Sequence, residues 1–193
     1  CGDCRLCVDA CPTDALDELG VLDANRCLSY WTQSRKAIPE EYRDEFVGQA
    51  YGCDICQDVC PVNRKAALGL EPAFQQRHDF GAPALLPLLE LDDEEFRARF
   101  RNSAIKRAKR VGLQRNVCVA LGNIGDLAAV PALAKALSAP EPIVREHAAW
   151  ALGRLGDNAA LLSLREALPG ETDEAVRVEI ALSLSEAGAP VPS

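Results

Sequence analysis

Seven of the nine cysteines fall in two short runs near the start of the chain, and an eighth, Cys27, stands between them. The first run is Cys1-Gly-Asp-Cys4-Arg-Leu-Cys7-Val-Asp-Ala-Cys11-Pro12, and the second is Cys53-Asp-Ile-Cys56-Gln-Asp-Val-Cys60-Pro61. The first matches C-x2-C-x2-C-x3-C-P throughout, the spacing by which bacterial ferredoxin-type chains hold [4Fe–4S] clusters. A chain of this kind folds as short turns wrapped on inorganic centres, and its chemistry is one-electron transfer.

In this spacing three cysteines clasp one cluster and the fourth, ahead of the proline, ligates the other. Cys1, Cys4 and Cys7 are therefore expected on cluster 1, completed by Cys60. Cys11 crosses to cluster 2 and joins Cys53 and Cys56. The second run lacks its middle cysteine, so cluster 2 needs one more thiolate. Cys27 is assigned to it. Cys118 lies far off in an apolar helical stretch and reads as a small buried hydrophobe. A disulfide framework would suit a small secreted domain, and zinc ribbons use four ligands per site. Neither fits the ferredoxin register. No signal peptide or transmembrane stretch is visible; no membrane partner is expected, and a monomer is expected.

The net charge is −8, but it is unevenly spread. Residues 97–116 hold eight Lys/Arg and no Asp/Glu. A local basic patch is the footprint of a polyanion partner that the mean charge hides. Read as helix, Lys106, Lys109 and Arg110 share one face. The plainer reading is a solvated helix face. Against it, no acids alternate with the bases within the segment.

The expected fold is mainly α: a ferredoxin-like two-[4Fe–4S] domain followed by a small HEAT-like α-solenoid. Residues 1–66 form the cluster domain. Within it Tyr30, Trp31, Tyr42, Phe46 and Tyr51 either pack around the clusters or line a cofactor face, and residues 40–49 read as a helix opened by Pro39. Residues 67–110 form a connector with a basic helix. Pro72, Pro83 and Pro87 break it, and Leu85, Leu86, Leu88, Leu89 and Leu91 anchor it. Acidic residues 92–95 open a helix running through Phe96 and Phe100. Residues 111–193 repeat: Ala120-Leu-Gly-Asn-Ile-Gly-Asp126 recurs as Ala151-Leu-Gly-Arg-Leu-Gly-Asp157, with a degenerate third copy from Ala181. Second helices are expected over 128–138 and 159–168. Paired helices at this period indicate an α-solenoid. His78 and His147 carry no motif, and His147 reads as structural.

These residues together resemble the C-terminal half of the epoxyqueuosine reductase family. The carriers are the eight-cysteine layout, Arg26-Cys-Leu-Ser-Tyr30, Ala37-Ile-Pro39, Tyr51-Gly-Cys-Asp-Ile-Cys-Gln57, Gly112-Leu-Gln-Arg-Asn116 running into Ala120-Leu-Gly-Asn123, and the repeats. The resemblance implies a cytoplasmic reductase in which two clusters feed electrons to cob(II)alamin, which removes the epoxide oxygen of epoxyqueuosine in a tRNA anticodon loop. It implies an unidentified low-potential electron donor. It places Ser29 and Asp54 near the corrinoid, and Lys106, Arg107, Lys109, Arg110 and Arg115 in the segment that meets tRNA. Val62 departs from the family's usual Trp. The catalytic acid is expected in an N-terminal domain that this chain does not include, so the chain alone is expected to hold clusters and not turn over. The alternatives are a standalone electron carrier, a reductive dehalogenase-like corrinoid enzyme, and a DNA-repair solenoid.

Overall fold

The computed structural model describes residues 1–17, 20–67, 69–71 and 84–189. Pro72, His78 and Pro83 lie outside the described residues. Every regular element among the described residues is a helix. In the cluster segment these are single turns or little more: α1 (Leu6–Asp9), α2 (Leu28–Gln33), α3 (Glu40–Arg43) and α4 (Ile55–Asp58). α1 carries Cys7, α4 carries Cys56, and the two pack on each other.

The helix expected over 40–49 is shorter than its sequence suggests and ends at Arg43. Asn123 of the solenoid donates to the carbonyls of both Arg43 and Phe46, at 2.7 and 3.1 Å. The Arg43 carbonyl also accepts from Phe46 N–H at 3.2 Å, an i→i+3 turn in place of a continuing α-helix. Phe46 then turns inward and is fully buried.

The connector carries α5 (Leu86–Leu89), with Leu88 buried, and α6 (Asp93–Arg99). Asp92 accepts from the N–H groups of Glu94 and Glu95, and the Glu95 carboxylate accepts from the Asp92 N–H. This capping box satisfies the free donors at the helix start. The basic segment is not one helix. α6 ends at Arg99, Asn102 and Lys109 adopt positive φ (58° and 63°), and Ala104–Arg107 form a separate 3-10 turn capped by Ser103. The shared face expected for Lys106, Lys109 and Arg110 is therefore broken. The interruption lets Phe96, Phe100 and Ala108 all reach the interior.

The solenoid comprises α7 (Lys109–Ile124), α8 (Val130–Ala136), α9 (Pro142–Leu155), α10 (Asn158–Ala167) and α11 (Glu174–Glu186). Its repeated heptapeptide has a separable physical role at each position. Gly125 and Gly156 end α7 and α9 in the left-handed region, at φ 74° and 62°, which a residue without Cβ adopts cheaply. Asp126 and Asp157 then cap the next helical segment by accepting from Ala128 N–H and Ala160 N–H. Gly122 and Gly153 allow neighbouring repeats to touch. A Cβ on Gly122 would lie 3.0 Å from Ala151 Cα, and one on Gly153 would lie 2.6 Å from Ser183 Cβ.

One hydrophobic core runs through both regions, from Leu28, Ile38 and Phe46 across Leu113 and Val117 to Leu152, Leu164 and Ile180. The cluster segment has little apolar mass of its own. It gains a core by packing Ile38 and Phe46 against α7 and its neighbours.

Candidate iron–sulfur centres and basic surface

α2 starts directly after Cys27, and α4 lies between Cys53 and Cys60. These short elements bring Cys11, Cys27, Cys53 and Cys56 around one cavity of about 120 Å³, otherwise lined by Thr13 and by apolar groups including Leu16, Leu22, Leu28 and Ile55. The set expected for cluster 2 is thus gathered in one place. Burial pushes the Cys53 thiol up, and Cys27 and Cys11 push it the same way against an Ile55 N–H. Burial also raises Cys56, with Cys53 and Cys27 adding to it. At Cys11 burial opposes the thiolate, but N–H donors prevail and hold its pKa low. One of them is Ala15 N–H, 3.2 Å from Sγ. Without metal, four thiolates here would repel one another. Iron supplies the opposite charge, so the donor set fits a cluster.

For the other set, Cys4 N–H donates to Cys1 O at 3.2 Å. Cys60 is held low by the N–H groups of Asn63 and Val62, and the positive charge of the Cys1 amine lowers it slightly further. Among the described residues no three His, Cys, Asp or Glu side chains converge as a single ion requires. A cubane is not such a point: each thiolate binds a different iron corner. Cys118 is fully buried in α7, where burial pushes its thiol up to about 12. It belongs to the core, far from the other thiols in role.

Ser29 is half-buried at the start of α2, and its Oγ accepts from Gln33 Nε2 at 3.3 Å. Asp54 is exposed and accepts from Gln57. It lines an open cleft of about 350 Å³ with Gln57, Asp58, Asn63 and Arg64. The aromatics divide: Phe46 is core, Trp31 and Tyr42 pack against it, and Tyr30 stays 38% exposed. Tyr51 donates its hydroxyl to Ala104 O at 2.6 Å, tying the basic turn to the cluster segment.

The five basic residues singled out from sequence fall into two groups. Lys106, Arg107 and Lys109 are exposed, and among the described residues no carboxylate pairs with them. Arg107 donates to Gln33 Oε1 at 3.4 Å, so the exposed cations border α2. Arg110 is different. Asp93 and Glu141 hold it from both sides, and Gln114 accepts a third bond. Its charge is compensated by acids from outside the segment. Arg115 is fully buried. Its guanidinium donates to Trp31 O, Ser34 O, Lys36 O and Asn116 Oδ1. The expected contact of Arg115 with a polyanion is corrected accordingly: the group has no route to solvent.

A polar seam between the cluster segment and the solenoid was not anticipated. Arg43 is 4% exposed and bridges Glu146 and Glu179, both at 2.8 Å. Buried His147 accepts from Ile38 N–H through Nε2 at 3.0 Å and bonds Ile143 O through Nδ1, which fixes a neutral tautomer. The available signal was Gln114-Arg-Asn116, three consecutive polar residues running directly into the apolar stretch 117–122 of α7.

Residues 1–63 match the family described as "4Fe-4S double cluster binding domain", and residues 103–185 match "HEAT repeats". The epoxyqueuosine reductase of Bacillus subtilis (strain 168) is 39% identical over 181 residues, covering 93% of this chain and 47% of that protein. That of Lactococcus garvieae (strain Lg2) is 48% identical over 133 residues, covering 69% and 38%. A crystal structure of an epoxyqueuosine reductase with an epoxyqueuosine-modified tRNA-Tyr stem loop superposes with a TM-score of 0.93 at 37% identity, covering 98% of this chain and 51% of that one. The chain spans about half the length of the relatives it matches. No helix among the described residues is long and apolar enough to cross a membrane.

Proposed function

The chain belongs to the epoxyqueuosine reductase family, and we propose that it is the electron-delivering and RNA-gripping half of such an enzyme, acting on epoxyqueuosine in a tRNA anticodon loop. The observation that carries this is a juxtaposition. Four cysteines gather round one apolar cavity, and the helix that starts at Cys27 ends beside a turn bearing unpaired cations, through Gln33 and Arg107. Electron delivery and polyanion binding share one border.

Each part has a physical role. Cys1, Cys4, Cys7 and Cys60 hold one cluster; Cys11, Cys27, Cys53 and Cys56 hold the other. Both accept single electrons from a low-potential donor. Lys106, Arg107 and Lys109 contact phosphates, where Lys and Arg supply sequence-independent affinity that falls with salt. An anticodon loop suits such a site because its bases can be splayed out to a pocket. Arg110 and Arg115 do not take part, being committed within the fold. Ser29 and Asp54 stand at the edges of the second cage and would meet one side of cobalamin; a bound corrinoid supplies the carbon–oxygen bond chemistry. The remaining half of the length seen in the relatives provides the rest of that pocket and the proton donor.

The test uses the protein with that half present, reconstituted without oxygen with iron, sulfide and cobalamin. A low-potential reductant and epoxyqueuosine-containing tRNA are added, and nucleosides are identified by mass spectrometry. Queuosine that forms only with cobalamin and is lost in Cys27→Ala supports the proposal. No queuosine, with clusters and corrinoid both bound, overturns it in favour of an electron carrier for another reaction.

A further inference from the structure

The cavity of the second cage is lined by the cluster segment alone, but two of the stretches that carry its cysteines are braced from outside by the solenoid. Cys27 sits at the start of α2, and the carbonyls at the far end of that helix lack intrahelical partners. Helix α7 supplies them. Arg115 donates to Trp31 O at 2.8 Å, to Ser34 O at 3.0 Å, and to Lys36 O. Asn116 Nδ2 donates to Thr32 O and to Ala50 O, both at 2.8 Å. One amide group therefore joins the helix that follows Cys27 to the strand of chain that leads to Cys53.

Thr32 closes the link on the inner side. Its hydroxyl donates to Ser29 O at 2.8 Å and accepts from Gly52 N–H at 2.9 Å. Gly52 has φ 80° and immediately precedes Cys53. Thr32 and Asn116 are both fully buried. Arg115 is a buried cation whose partners are all neutral oxygens, and among the described residues no carboxylate pairs with it. Asn116 Oδ1 accepts from Arg115 at 2.6 and 3.0 Å, which fixes the amide so that both N–H bonds face the carbonyls.

We propose that Thr32, Arg115 and Asn116 are positioning residues for the second cluster, with the first solenoid helix setting the separation of Cys27 and Cys53. They touch no iron. They act by holding two ligand-bearing segments at a fixed distance across the cage. The proposal rests on the reading of Cys11, Cys27, Cys53 and Cys56 as one ligand set. Residues that orient metal ligands from outside change affinity by roughly 10–100-fold when removed.

The test is made on the anaerobically reconstituted chain, with iron release to a chelator followed over time and both clusters titrated by EPR. Thr32→Val keeps the side-chain shape but removes the acceptor for Gly52 N–H. Asn116→Asp replaces the donor with a carboxylate facing two carbonyls. Either change should speed the loss of about half the iron by roughly tenfold and shift the potential of one cluster alone. Thr32→Ser should restore both. A role in general stability would instead affect both clusters equally and lower the helical melting transition in parallel; that result overturns the proposal. So does iron release at the wild-type rate with both potentials unmoved. If Cys27→Ala retains two clusters, the ligand set itself is wrong and the proposal falls with it.

Discussion

Replacing Arg43 by Met should be among the most damaging single changes in the protein away from the cysteines. Arg43 comes from the cluster segment, and its carboxylate partners come from α9 and α11 of the solenoid. The Arg43 side chain is 5% exposed and those of Glu146 and Glu179 are 14% exposed. The guanidinium also donates to Ile38 O at 3.0 Å and lies 5.9 Å from the Trp150 ring. Removing it leaves two half-desolvated carboxylates together with no counter-ion. Breaking a buried pair from one side costs about 3–5 kcal/mol, because the partner stays buried and uncompensated. For a chain of this size that is on the order of 10 °C in melting temperature, read by the helical circular dichroism signal under anaerobic conditions. Acid should soften the defect. Burial already pushes Glu146 and Glu179 upward, and raised carboxylates take protons more readily folded than unfolded. The gap between variant and wild type therefore narrows as pH falls toward the carboxylate range. Adding Glu146→Gln and Glu179→Gln to Arg43→Met should recover much of the loss. A single variant that melts within about 1 kcal/mol of wild type would refute the reasoning.

Three further outcomes follow from the same geometry. Gly153→Ala drives a Cβ to within 2.6 Å of Ser183 Cβ and should cost about 1–3 kcal/mol, while Gly170→Ala, which meets nothing within 4 Å, should be neutral on the same melt. Burial, with Arg43 and Arg115, keeps His147 well below its usual range. The unfolded histidine gains a proton near pH 6.5 and the folded one does not, so stability drops by about 1.4 kcal/mol per pH unit below that point; in His147→Gln the slope of a denaturant-midpoint series against pH should flatten. Lys106→Ala and Arg107→Ala should each weaken binding of an anticodon stem-loop and reduce the slope of log affinity against log salt by about 1. Arg110→Ala should leave that slope unchanged.

What could be read from sequence were features whose partners lie close along the chain. The acidic start of the helix at residues 92–95 and the repeated heptapeptide act within a few residues, so their spacing reports their geometry. The fate of the basic segment was not legible for the opposite reason. Arg115 finds its carbonyls about eighty residues away in α2 and beyond, and Arg110 is neutralised by Asp93 and Glu141 from elements on either side. The segment has no acids of its own, and tertiary contacts compensate Arg110 while leaving Lys106, Arg107 and Lys109 exposed. The overlong helix after Pro39 fails similarly, because Asn123 that takes its carbonyls belongs to the solenoid. The division at residues 66 and 110 follows composition, whereas the core and the Arg43 pair cross it.

The proposed function requires eight cysteines to form two four-iron cages, the second closed by Cys27. The direct measurement is iron and acid-labile sulfide content with low-temperature EPR of the dithionite-reduced chain, made on wild type, Cys27→Ala and Cys118→Ala. The expected result is two clusters in wild type and in Cys118→Ala, with Cys27→Ala losing one of them. Stoichiometric zinc in place of iron, or a cluster that depends on Cys118 and not on Cys27, would contradict it.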